Sequence, residues 1–184
     1  MIEFESEVLD KIREELEGIT DGVEEVVSKA SNQTAKRAKR YIVDRIIEDF
    51  YINKDKVNPG ISMKKATLQN TTAELTNNRK KDYYGLQNFR VDVPDDGPIK
   101  IGLRRSGGLI DLKRAFLQSP RNQPGNIMVF RRLFAESKFR KAIERQYGYS
   151  VGGMIENNPE LIEKFINEDL ENEFEIKLND FFEE

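Results

Sequence analysis

The chain contains neither cysteine nor histidine. That double absence excludes thiol nucleophiles, disulfides, Ser-His-Asp triads and the usual zinc sites, leaving carboxylates as the only catalytic chemistry. No cofactor is expected. Long apolar runs are also missing, and no stretch approaches the length of a membrane span. The start, Met1-Ile2-Glu3-Phe4-Glu5-Ser6, lacks the basic and apolar regions of a secretory signal, so we expect a protein made and folded in the cytosol. Hydrophobic content of 38% and charged content of 34% lie on the polar side of globular averages, which predicts an elongated or assembled protein with much surface per residue. At 184 residues the expectation is a single domain with appendages.

What is abundant is charge, and it is sorted. Residues 1–25 hold ten Asp/Glu against two Lys/Arg, and residues 156–184 hold eleven against two. The intervening 26–155 therefore carry 12 acids and 26 bases, a net of +14 within a chain of net −3. Such a partition calls for a partner of opposite sign, either nucleic acid or another copy of the chain.

Apolar residues recur at helical spacing over residues 6–51: Val8, Leu9, Ile12, Leu16, Ile19, Val23, Val26, Val27, Ala30, Ala38, Ile42, Ile46 and Phe50. Thr20-Asp21-Gly22 offers a cap inside this stripe, so the span reads as one bent helix or two helices meeting near residue 20. Lys36, Arg37, Lys39 and Arg40 lie off the stripe on a solvated face. Residues 53–59 read as a turn with a short helical piece. Alternation then predicts a hairpin from residues 61–68 and 71–76, and a second from 89–93 and 99–103 around Pro94-Asp95-Asp96-Gly97-Pro98. Residues 112–117 and 127–134 form a further predicted strand pair. Asn157-Asn158-Pro159-Glu160 opens a C-terminal helix striped by Leu161, Ile162, Phe165, Ile166, Leu170, Phe174, Leu178, Phe181 and Phe182, with Ile176 off its phase. The expected class is α+β, with a long N-terminal helix and a C-terminal helix packed on a mostly antiparallel β-sheet. Residues 1–155 form the expected domain, and 156–184 an acidic helix packed on it or extending from it.

Three dibasic pairs fall on these strands or at their ends: Arg104-Arg105, Lys113-Arg114 and Arg131-Arg132. Neighbouring strand residues point to opposite faces, so each pair places a cation on both sides of the sheet. Phe116 and Phe130 sit close by. An aromatic beside an arginine can stack on a base, but at this spacing core phenylalanine is commoner. The acids of the sheet region are Asp92, Asp95, Asp96 and Asp111, and Asp95-Asp96-Gly97 is turn chemistry first. Ser106-Gly107-Gly108 and Val151-Gly152-Gly153 lack phosphate-loop and dinucleotide-loop spacing and read as turns.

Taken in order, Ala38-Lys39-Arg40-Tyr41-Ile42-Val43, Asp55-Lys56-Val57, Ile61-Ser62-Met63-Lys64-Lys65-Ala66, Leu112-Lys113-Arg114-Ala115-Phe116, Val129-Phe130-Arg131-Arg132 and Ile143-Glu144-Arg145-Gln146-Tyr147-Gly148-Tyr149-Ser150-Val151 carry a resemblance. Over roughly residues 20–155 the chain resembles the minor tail protein Z family, the tail-completion or head-tail joining proteins of long-tailed phages and prophages. Tyr149 stands where that family commonly has proline. The resemblance implies a non-enzymatic virion protein, made in the bacterial cytoplasm and located at the tail-head junction. It implies a homohexameric ring around the DNA path, by analogy with the tail tube. Its neighbours would be a tail-tube or tail-terminator protein and the head connector, with transient non-specific contact to genomic DNA and no membrane.

A head-to-tail ring needs two different complementary surfaces on each subunit. Acidic helices and a basic sheet can supply them. The residues expected at the subunit interface or facing DNA are Arg104, Arg105, Lys113, Arg114, Phe116, Phe130, Arg131, Arg132, Tyr147 and Tyr149. A second reading is a non-specific nucleic-acid-binding module autoinhibited by its acidic termini. The weakest is a nuclease or glycosidase built on Asp92, Asp95, Asp96 and Asp111.

Overall fold

A computed structural model describes residues 22–77, 83–133 and 143–183. The part of the N-terminal stripe before residue 22 lies outside the described residues, as does Phe134, the end of the strand expected over residues 127–134. The chain has two compact units, one of residues 1–43, 59–78 and 155–184 and the other of 44–58 and 79–154. The C-terminal helix is thus an integral part of the first unit.

The described part of the first unit contains residues 23–43 of one long helix and a second helix. Helix α1, Val23–Asp49, begins immediately after Gly22, whose φ of +93° suits glycine alone and whose missing Cβ makes room for the ring of Phe181. Val26, Val27, Ala30, Ala38, Ile42 and Ile46 are all buried, as the stripe requires. Following the 310 turn at Asn58–Gly60, strands β1, Ile61–Lys64, and β2, Glu74–Asn77, pair antiparallel with Ile61 opposite Asn77. The expected hairpin is present but its strands are shorter. Residues 65–73 leave the ladder because Thr67 and Asn70 close a tight turn on each other through two backbone hydrogen bonds. Helix α4, Pro159–Glu183, starts at the expected proline. Ile162, Ile166, Leu170 and Phe174 are buried, Leu161 and Phe182 are exposed, and Ile176 is exposed as its phase predicts.

The two helices of this unit run antiparallel. Phe174 packs among Val26, Val27 and Ala30, while Tyr41 stacks on Phe165 with ring centroids 4.1 Å apart and planes 4° from parallel. Between those points Arg37 reaches both Asp169 and Glu173.

In the second unit the α1 end gives way to Phe50, and the short helix α2, Lys54–Val57, follows as expected. Strands β3, Arg90–Asp92, β4, Ile99–Gly102, and β5, Ile110–Leu112, form one antiparallel sheet; β6, Ala115–Gln118, β7, Met128–Arg132, and β8, Ile143–Arg145, form another. The β3-β4 hairpin is the one the alternation predicted. The strand expected over residues 112–117 is instead two strands in different sheets. Lys113 and Arg114 make the turn between them, with Arg114 at φ +64°, so this dibasic pair lies on no strand. Among the described residues, three small antiparallel sheets therefore stand in place of a single sheet. Leu86, Ile99, Ile101 and Val129 form the core of the unit, lined by Val91, Leu103, Leu112 and Ala115. Burying these side chains is what holds β4 against β7 across the break. Helix α3, Val151–Ile155, closes the run before α4.

Candidate functional site: an aromatic and arginine sheet face

Strand register assembles the site. Phe116 lies opposite Phe130, and Phe130 opposite Arg145, so all three share one face of the β6-β7-β8 sheet. Arg132 and Tyr147, each two residues along, fall on the same face. The contacts agree with this geometry. The Phe116 and Phe130 rings stack with centroids 6.0 Å apart, the Arg132 guanidinium lies 5.6 Å over Phe116, and that of Arg145 lies 5.0 Å over Tyr147. Tyr147 is 52% exposed and Arg132 is exposed, whereas both phenylalanines are half-buried.

The reverse face belongs to the core. Val129 is fully buried there, and Arg131 escapes only at the sheet's end, where it faces Glu144 at 3.8 Å. The Arg131-Arg132 pair does place one cation on each side, as strand alternation demands.

The other expected residues serve different ends. Arg104 bridges to Phe50 in an antiparallel pair and sets its guanidinium 5.5 Å from the Phe50 ring and 5.6 Å from that of Tyr149. Phe50 has no exposed surface, so Tyr149 and Arg104 complete a half-buried aromatic corner. Arg105 caps α1: its N–H donates to the Asp49 carbonyl at 2.8 Å and its Nε to the Ile47 carbonyl at 3.0 Å. A cation beside carbonyls left open at a helix C-terminus is favourable for both hydrogen-bonding and dipole reasons. Lys113 and Arg114 are exposed on their turn.

Of the acids considered for catalysis, Asp92 and Asp111 stand on either side of Lys100 as its cross-strand partners. Opposite charges in that arrangement stabilise a sheet. Asp95 and Asp96 are exposed in the β3-β4 turn. Among the described residues no three acids are grouped so as to hold a metal ion, and no helix is long and apolar enough to cross a membrane.

Sequence reasoning missed Arg145, Arg90 and Tyr51. Arg145 belongs to the alternating Ile143-Glu144-Arg145 triplet, whose period of two is too short to stand out. Tyr51 follows the last residue of the helical stripe and so reads as its tail; in the structure Arg90 and Arg105 both lie over its ring.

Charge follows the units. The first unit carries 22 acids and 11 bases, the second 11 acids and 19 bases, for nets of −11 and +8. On α4 the carboxylates of Glu160, Glu163, Glu168, Glu171, Glu175 and Asp180 are exposed. Comparison with known proteins finds no matching family model, no similar curated protein and no similar solved structure.

Proposed function

We propose that this is a structural, non-enzymatic virion protein that completes a phage or prophage tail and joins it to the head connector, assembling as a ring around the DNA path. The observation that supports the reading is that each compact unit carries its own sign of charge, with an aromatic and arginine face on the positive one. Heterologous contacts close a ring only when two unlike patches of one subunit fit each other. The acidic face of α4 and the Arg132 side of the β6-β7-β8 sheet are such a pair. Charge would steer the approach and set register, while Phe116 and Phe130 would supply most of the affinity. Six copies match the tail tube by analogy, with a tail-tube or tail-terminator protein on one side and the connector on the other. Cations left on the inner wall would touch DNA through phosphates, without reading sequence.

Electron microscopy of tails assembled with and without the protein tests this reading. The expected result is a ring at the tail end when the protein is present and unjoined heads when it is absent. Equal joining in both cases, together with a monomer by light scattering in the presence of tail and connector proteins, would sink the idea.

The positive charge of the second unit supports an alternative, a nucleic-acid-binding module restrained by acidic segments. Deleting residues 156–184 is a poor test, because Phe174 is core. Neutralising Glu160, Glu163, Glu168, Glu171 and Glu175 to glutamine leaves the packing intact, and on this alternative it raises DNA affinity at low salt.

A further inference from the structure

The second unit has a cleft of about 340 Å³ whose nine lining residues include Tyr51, Lys56, Arg90 and Arg105. Three of these nine residues are cations and none is a carboxylate. The Tyr51 ring organises two of the cations, with the Arg90 guanidinium carbon 5.5 Å and the Arg105 carbon 4.9 Å from its centroid. Two like charges held over one ring repel each other, and a third on Lys56 adds to the cost. Neither arginine makes an ion pair with a carboxylate among the described residues. Arg105 spends its Nε on the Ile47 carbonyl, which fixes the guanidinium plane and leaves its two terminal nitrogens for another acceptor. Gln87, Asn53 and Asn88 add neutral side-chain amides to the lining, and their NH2 groups are donors that suit an anion.

We infer that this cleft binds a phosphate group. The choice of phosphate over carboxylate rests on charge and acceptor count. One carboxylate satisfies a single guanidinium fork, whereas a phosphate presents three or four acceptor oxygens and more negative charge, enough to engage two guanidinium groups and an ammonium together. The ligand does not stack on Tyr51, because that ring already carries both arginines. A cleft of this size, at the small end of ligand pockets, suits the phosphate itself with little of the molecule attached to it. The inference stands apart from the joining role, since it concerns the chemistry of one cleft in a single subunit.

NMR titration of the full chain with inorganic phosphate tests it, read on the arginine Nε–H and Asn and Gln side-chain signals. Saturable shifts are expected at Arg90, Arg105 and Gln87, with binding weakened about tenfold in Arg90→Gln and in Lys56→Gln. Arg121→Gln, which removes an exposed cation outside the cleft, should bind phosphate as the unaltered chain does. Two variants are used so that a fold defect in one, visible in its spectrum, leaves the other to decide. A short DNA duplex separates the sources of phosphate. If it displaces inorganic phosphate from the same signals, the ligand is a nucleic-acid backbone; if it does not, the ligand is a free phosphate ester, and either result supports the site. Absence of saturable shifts, equal weakening in Arg121→Gln, no weakening in either cleft variant, or binding of a polyglutamate peptide without phosphate binding overturns it.

Discussion

Asn32 and Ala66 are joined by two hydrogen bonds: the Asn32 amide donates to the Ala66 carbonyl at 3.1 Å, and its Oδ1 accepts from the Ala66 N–H at 2.8 Å. A side chain on α1 thus behaves as a strand would, satisfying donor and acceptor of one buried residue just beyond β1. It ties the hairpin of the first unit to the helix.

Asn32→Ala should leave both Ala66 groups without their partner and cost about 1–3 kcal/mol. Asn32→Asp should also destabilise, because it keeps the acceptor but sets a second acceptor against the Ala66 carbonyl. Urea denaturation followed by circular dichroism measures both. Equal stability of Asn32→Ala and the unaltered chain would refute the clamp.

Arg37 holds Glu173, which is buried at 3% exposure, together with Asp169 at 3.2 Å. Replacing Arg37 by methionine should lower the Tm, because the Glu173 carboxylate stays buried with its charge uncompensated. Arg37→Met combined with Glu173→Met should recover part of the loss. The guanidinium pKa is raised above its ordinary value, first by the hydrogen bond to Asp169 and then by the charge of Glu173, against an opposing effect of burial. A raised folded value means that the contribution is complete below the unfolded value and disappears only as pH climbs through the folded one. The Tm gap between the Arg37→Met variant and the unaltered chain should therefore stay constant from neutral pH to mildly alkaline pH in a calorimetric series.

The turn at Arg114 offers a stabilising change. An L residue at φ +64° carries steric strain that glycine does not, and the Arg114 side chain is exposed. Arg114→Gly should be neutral or raise stability by up to about 1 kcal/mol, the strain relief being offset by added freedom in the unfolded chain. Arg114→Pro should fail, since the ring cannot reach positive φ. Thermal melts of the two variants give the comparison.

Phe174→Ala should cost about 3–5 kcal/mol by opening a cavity against Val26, Val27 and Ala30. Phe182→Ala, from the same predicted stripe but exposed, should change stability little. Parallel chemical denaturation of these two variants checks whether the buried side of α4 is the one described.

The helices were largely legible in the sequence because a period near 3.6 over many residues survives local exceptions. Val26, Ala30, Ala38, Ile42 and Ile46 stand on the stripe and are all buried. Among the described residues of the C-terminal stripe, Leu161 and Phe182 are as apolar as Ile162 and Phe174 yet exposed, and their composition does not distinguish them. Hairpin β3-β4 was equally readable, since turn chemistry and alternation coincide there. Strand length was not. Nothing in Leu112-Lys113-Arg114-Ala115 signals a chain reversal, because arginine rarely adopts positive φ, and only the burial of Leu112 and Ala115 beside the same core makes the turn worth its strain.

Composition by itself determined that thiol and imidazole chemistry are absent and that charge is segregated along the chain, because these properties depend on residue identity alone. Spacing determined the α+β class and the buried sides of both long helices, because a regular period is a local property of the backbone. Which cations share a surface was decided only by the tertiary structure. Register placed Arg132 and Arg145 on one sheet face with Phe116, Phe130 and Tyr147. Chain return past α1 brought Arg90 and Arg105 to the ring of Tyr51. Contacts of this kind join residues tens of positions apart, and it is burial of the core between them, not any local preference, that selects them.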